Sequence, residues 1–170
     1  IVDFAGKLID SRCYSDFRFE NTHENLDDVC NKINKYIKDL GWEMREKISA
    51  IGLSIGGRVD SRTGTSATKY NFEEMQKSSL ASILTELFGI PVFVENDTKA
   101  LTYADYIIYN NNRSNLLFVN FSWGIALGII INGELYYGRQ GYSGELGHIH
   151  YYDNNIVCHC GKKGCMETEV

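Results

Sequence analysis

The chain has 170 residues, a hydrophobic fraction of 44%, and 22 acidic against 17 basic side chains, for a net charge of -5. That length suits one domain or two small ones with a sizeable core, and the composition excludes both a disordered chain and one devoted to neutralising phosphate backbones. No apolar run reaches the length of about eighteen residues that a membrane-spanning helix needs.

Ile1 to Asp10 contains Asp3 and Lys7 and has no cleavage-site pattern after it, so it does not read as a signal peptide. The first residue is Ile rather than Met, which makes a fragment of a larger protein an expectation from the outset. Ile1–Phe4 and Lys7–Tyr14, split by Ala5 and Gly6, read as a short hairpin. From Asn25 to Leu40 apolar residues recur every three or four positions (Leu26, Val29, Ile33, Tyr36, Ile37, Leu40), with Thr22 or Asn25 as caps and Gly41 as a stop, which predicts an amphipathic helix. Ile48–Ser54 reads as a buried strand leading into Gly56 and Gly57, where glycines let the backbone approach a ligand or another strand. Ser78–Phe88 predicts a second helix ending at Gly89. Pro91–Val94 predicts a strand running directly into Glu95, Asn96 and Asp97, and Thr98–Tyr109 a third helix. Strands alternating with helices in this order favour an α/β sheet with helices on its faces.

The polar run Asn110–Asn115 is the expected lobe boundary, dividing a first lobe at 1–109 from the opening of a second at 110–170. Beyond it, Leu116–Phe121, Gly124–Ile131 and Glu134–Tyr137 read as strands, the last two joined by the hairpin signal Asn132-Gly133.

Five cysteines are present, and three of them, Cys158, Cys160 and Cys165, are clustered. An odd count with a tight cluster and no export signal reads as a metal site in a reducing compartment rather than a disulfide framework. His148 would complete a tetrahedral zinc set with no position open to water, which makes the site structural. His150 and His159 are rival nitrogen donors that spacing does not eliminate, and Cys13 and Cys30 are left as ordinary thiols.

Glu95-Asn96-Asp97 lies at a strand end before a helix, a place where α/β folds set ligand residues. A carboxylate beside a carboxamide can grip neighbouring hydroxyls, and Asp97 facing a hydroxyl could serve as a general base. The plainer alternative is that the Asn-Asp pair only caps the helix. Glu145, His148 and Glu167 would join them around a polyhydroxylated ligand such as a sugar, whereas taken singly Glu145 and Glu167 read as solvated surface acids. No GxxxxGK[ST] or GxGxxG phosphate loop occurs.

Taken together, Gly144-Glu145-Leu146-Gly147-His148, the run Cys158 to Glu167 (CHCGKKGCME), Glu95-Asn96-Asp97, Gly52 to Asp60 (GLSIGGRVD) and Gly124 to Gly138 resemble the ROK family of repressors and sugar kinases. The resemblance covers almost the whole chain. It implies an α/β, actin-like ATPase (ribonuclease H-like) fold of two lobes, truncated here at both ends. It also implies structural zinc on His148, Cys158, Cys160 and Cys165, and a monosaccharide held by Asn96, Asp97, Glu145, His148 and Glu167. In kinase members the residue matching Asp97 is the catalytic base, with ATP and magnesium as cofactors.

The reading as a transcriptional regulator rests on this motif set together with Trp123: Ser122-Trp123-Gly124 stands where kinases carry a Thr-Gly phosphate contact, which argues against nucleotide binding. The strand and Asp-x-Gly-Gly-Thr loop with which kinases begin would precede this sequence. The expectation is therefore the sugar-sensing region of a cytoplasmic ROK-type regulator. It would reach DNA only through a helix-turn-helix outside this sequence, would not contact membranes, and would be a homodimer or larger when full-length. The alternatives are an ATP-dependent, glucokinase-like sugar kinase and a zinc-bearing structural module without a ligand.

Overall fold

The structure is a computed structural model that describes residues 1–18, 20–68, 70, 72, 78–109, 113–122 and 124–170. Trp123 and the first three asparagines of the expected lobe boundary lie outside the described residues. The chain divides into two compact units, Ile1–Ser49 and Ala50–Val170.

The first unit is built on helix α1, His23–Asp39. Thr22 caps it by accepting from the Asn25 backbone N–H at 3.1 Å, and Leu26, Cys30 and Ile37 form its buried stripe. The chain leaves α1 through Gly41 at a φ of 81° and makes one further turn, α2, Trp42–Arg45. Arg12 lies 2.7 Å from Asp39 and over the Tyr36 ring, tying the amino-terminal segment to α1. The expected hairpin shrinks to one antiparallel bridge, Val2 with Leu8. Its turn is held by the Asp3 carboxylate, which accepts from the Ala5 and Lys7 N–H groups at 2.9 Å each. Val2, Phe4 and Leu8 stay exposed, so no apolar burial rewards a longer ladder.

In the second unit β1, Ile51–Ile55, pairs in parallel with β4, Val92–Asn96, from Ile51 opposite Val92 to Ile55 opposite Asn96. β1 starts later than its apolar run because the Ile48 N–H still bonds back to the Arg45 carbonyl. Two short strands, β2 (Val59–Asp60) and β3 (Thr65–Ser66), make an antiparallel ribbon between them. Helix α3, Leu80–Phe88, is capped by Ser79, buries Leu80, Leu84 and Phe88, and ends at Gly89 in the left-handed conformation. Helix α4, Asp97–Tyr109, follows β4 without a loop.

β5 (Leu116–Phe121), β6 (Ile125–Ile131) and β7 (Glu134–Leu135) form an antiparallel sheet turned at Asn132-Gly133. α4 packs on β6, where buried Thr102 sits against Gly128. The helix that begins at the end of the parallel pair is thereby seated on the antiparallel sheet, and the two sheets contribute to one region.

Candidate functional site

Asn96 is the last residue of β4 and Asp97 the first of α4, so both side chains emerge at the carboxyl end of a parallel strand. The Asn96 carboxamide is engaged at both ends, with one acceptor position of its oxygen left over: its oxygen accepts from the Lys99 N–H at 3.0 Å, and its nitrogen donates to the Gly57 carbonyl at 2.9 Å and to Asp97 Oδ1 at 3.1 Å. Asp97 Oδ1 also accepts from the Thr98 N–H at 2.7 Å. Oδ2 faces Gly56, 3.4 Å from where a Cβ would stand. The pair does cap the helix, and that capping fixes the second oxygen of Asp97 beside Gly56 after β1. Glu95 beside it accepts from the Tyr137 hydroxyl at 3.0 Å.

Glu145 precedes and His148 ends a 3-10 turn, Leu146–His148, reached from β7 by the segment 136–144. The segment's end is anchored by the Leu127 N–H donating to the Gly144 carbonyl at 2.8 Å. Beyond His148 the chain folds back on itself. The Tyr151 and Tyr152 N–H groups both donate to the Gly164 carbonyl, the Met166 N–H donates to Ile149, and isolated bridges join His150 with Cys165 and Val157 with Lys163. Gly164 is obligatory in this return, because its φ is +70° and a Cβ there would collide with the Tyr152 carbonyl and the His150 ring. Between the bridges the Gly161 N–H closes a tight turn on the Cys158 carbonyl at 2.8 Å.

This folding places one donor atom from each of His148, Cys158, Cys160 and Cys165 within 4.8 Å of the others. Cys158 Sγ stands 3.5 Å from His148 Nδ1, and Cys160 Sγ 3.7 Å from Cys165 Sγ. Cys158 and Cys165 are buried. Burial pushes the Cys158 thiol up to about 12 and raises that of Cys165, so without a cation both are neutral. One imidazole and three thiols at this spacing fit a metal cation.

Of the rival histidines, His150 is turned to the Lys163 carbonyl at 3.1 Å. His159 points its Nδ1 at Glu167 Oε1, 3.0 Å away. Glu167, in the 3-10 turn Met166–Glu169, also lies 3.3 Å from His148 Nδ1, while Glu145 lies 3.8 Å from His148 Nε2. A Cβ at Gly147 would stand only 2.7 Å from Glu167 Oε2, so the glycine leaves the room that the carboxylate occupies. His148 is thus shared between the thiols and two carboxylates, its two ring nitrogens facing different partners.

Two further residues belong to this region. His159 is one. The other is Lys99, buried at 4% exposure in the first turn of α4. A cation at a helix amino terminus opposes the macrodipole, and that oddity was the available signal in the sequence for Lys99. Among the described residues no helix is long and apolar enough to cross a membrane.

A parallel pair, a helix starting at its carboxyl end and an antiparallel sheet beneath that helix define an α/β chain of the actin-like ATPase fold, as its solved relatives do. The chain belongs to the ROK family, whose model matches residues 3–170. It is 35% identical over 119 residues to a xylose repressor of Bacillus spizizenii, covering 69% of this chain and 30% of that protein. Among solved structures it is similar to a ROK family transcriptional regulator that is a homolog of the E. coli MLC protein. There the TM-score is 0.65 and the identity 29%, over 84% of this chain and 37% of the other. It is also similar to a ROK family glucokinase from Streptomyces griseus in complex with glucose and AMPPNP, with a TM-score of 0.71 and 27% identity over 88% and 46% of the two chains. The chain spans less than half the length of each of these relatives.

Proposed function

We propose that this chain is the effector-binding region of a ROK transcriptional regulator, and that it holds a monosaccharide beside a structural zinc ion. The observation that carries this reading is the shared position of His148, with Nδ1 toward the thiols and Nε2 toward Glu145. His148, Cys158, Cys160 and Cys165 hold the zinc, which displaces the thiol protons and fixes the imidazole's orientation. The sugar hydroxyls are gripped by Asn96, Asp97, Glu145, His148 and Glu167, a set rich in acceptors with one imidazole donor. In the intact, cytoplasmic protein, residues 1–109 belong to one lobe and 110–170 open the second. Sugar binding in the cleft between lobes alters a homodimer or larger assembly whose DNA-binding helix-turn-helix lies outside this sequence, through a difference in sugar affinity between two states. The 35% identity to a xylose repressor is in keeping with the regulator reading.

The second reading is an ATP-dependent sugar kinase with magnesium, supported by the TM-score of 0.71 to a glucokinase and by Asp97 Oδ2, which lies beside Gly56 while Oδ1 caps the helix and which would take the proton of the attacking hydroxyl. One experiment separates the two. Full-length protein is titrated with D-xylose, D-glucose and N-acetyl-D-mannosamine by calorimetry, then incubated with each sugar, ATP and magnesium. Binding without phosphorylation is expected. Sugar phosphate formation that Asp97→Asn abolishes overturns the regulator in favour of the kinase, and absence of any binding or turnover overturns both.

A further inference from the structure

The segment between β7 and Glu145 is fastened at alternate residues to the side of the molecule that carries Asn96 and Asp97. The Tyr137 hydroxyl donates to Glu95 Oε2 at 3.0 Å, Arg62 Nη2 donates to the Arg139 carbonyl at 3.1 Å, and Lys99 Nζ donates to the Gly141 carbonyl at 2.8 Å. The segment also closes on itself, the Ser143 N–H donating to the Tyr137 carbonyl at 3.1 Å. It lies tightly on the ribbon, since a Cβ at Gly141 would stand 3.0 Å from the Asp60 Cα. Of the three fastenings, Arg62 is a half-exposed side chain and Lys99 is buried.

A buried ammonium is costly, and burial lowers the pKa of Lys99. Packing alone would favour Met or Leu at this point. What surrounds Lys99 is a set of carboxylates from both sides of the proposed site: Glu95, Glu145, Asp60 and Asp97 all act on it electrostatically. Without a cation among them, Asp97 and Glu145, which must converge on one ligand, would repel each other.

We propose that Lys99 is a positioning residue for sugar binding: its buried ammonium clamps the segment 137–144 through Gly141 and so holds Glu145 toward the Asn96-Asp97 corner. This rests on the sugar-binding reading above and assigns Lys99 no contact with the ligand.

The test uses the full-length protein, with D-xylose and D-glucose as probes in calorimetric titrations, and records zinc content and melting temperature in parallel. Lys99→Met should weaken binding by about tenfold or more while zinc content stays at the wild-type level, in a protein that still melts cooperatively though at a lower temperature, because the carboxylates and the Gly141 carbonyl lose their partner. Lys99→Arg, which keeps charge and donor, should recover part of the affinity. Lys99→Gln serves if the apolar variant does not fold, with the same direction expected. In a Glu145→Gln background Lys99→Met should add less than about twofold, because its effect runs through Glu145. Wild-type affinity in the variant, or losses that multiply fully in the double variant, overturn the role of Lys99. No binding by the wild-type protein overturns instead the sugar-binding reading on which it rests.

Discussion

At the carboxyl end of β4, polar side chains are satisfied by the fold itself, whereas in the loop 158–165 they face one another. Asn96 uses both ends of its amide on the backbone of α4 and of the segment after β1, and Asp97 uses one oxygen on the helix start. His148, Cys158, Cys160 and Cys165 instead turn their donor atoms inward, and burial leaves thiols that a cation would have to deprotonate. The first corner is therefore pre-organised by hydrogen bonds to secondary structure. The second is organised by loop glycines and, on the function proposed above, is completed by a metal. If this contrast is right, damage to the two corners should separate into different observables.

The largest effect is expected at the cysteine corner. Cys165→Ser should abolish zinc retention in purified full-length protein and lower folding stability by more than about 4 kcal/mol, since structural metal binding is folding free energy. Zinc analysis and denaturant unfolding measure it. Zinc affinity should also rise with pH, because metal displaces protons from thiols whose pKa burial has raised. Full zinc retention in the variant would end the four-ligand assignment and make the corner as self-sufficient as its neighbour.

At the other corner the effect should fall on the ligand. Asp97→Asn keeps the side chain's shape, so its melting temperature should stay close to wild type, while sugar affinity falls by about 10- to 100-fold for the loss of a charged acceptor. Calorimetric titration with D-xylose and D-glucose checks this. A collapse in stability instead would mean that Asp97 serves the fold alone. Asn96→Ala is intermediate: it removes the acceptor for the Lys99 N–H and should cost about 1–2 kcal/mol of stability along with sugar affinity.

The contrast also explains what the sequence disclosed. The zinc-type cluster was legible because three cysteines and a histidine so close together are ligand chemistry whatever the fold. Helix α1 was legible because its apolar period, the Thr22 cap and Gly41 agree, and Asn96-Asp97 because a strand ran straight into a helix. The rivalry of His150 is legible only in three dimensions, where its ring meets the Lys163 carbonyl, and sequence spacing does not separate it from His148 and His159. The ribbon of β2 and β3 escaped notice because two-residue strands have no periodicity to read. Lys99 was missed for a different reason. Its burial is made by a segment some forty positions later, and no local pattern encodes it.

The smallest effect tests where that segment rests. Asp60, beside Gly141, is held below the usual carboxylate range chiefly by the Arg62 side chain, whose Nε lies 3.1 Å away and whose Nη2 also reaches the Arg139 carbonyl. A carboxyl with a depressed folded-state pKa contributes stability that is fully present above its unfolded-state pKa and is lost as pH falls through the folded value. Asp60→Asn should therefore cost no more than about 1 kcal/mol at neutral pH, because Arg62 is half exposed and solvent screens the pair. The difference from wild type should shrink as pH falls through and below the ordinary carboxylate range. Melting curves across that range measure it, and a deficit that persists at the acid end would mean that Asp60 acts by packing against the segment rather than by its charge.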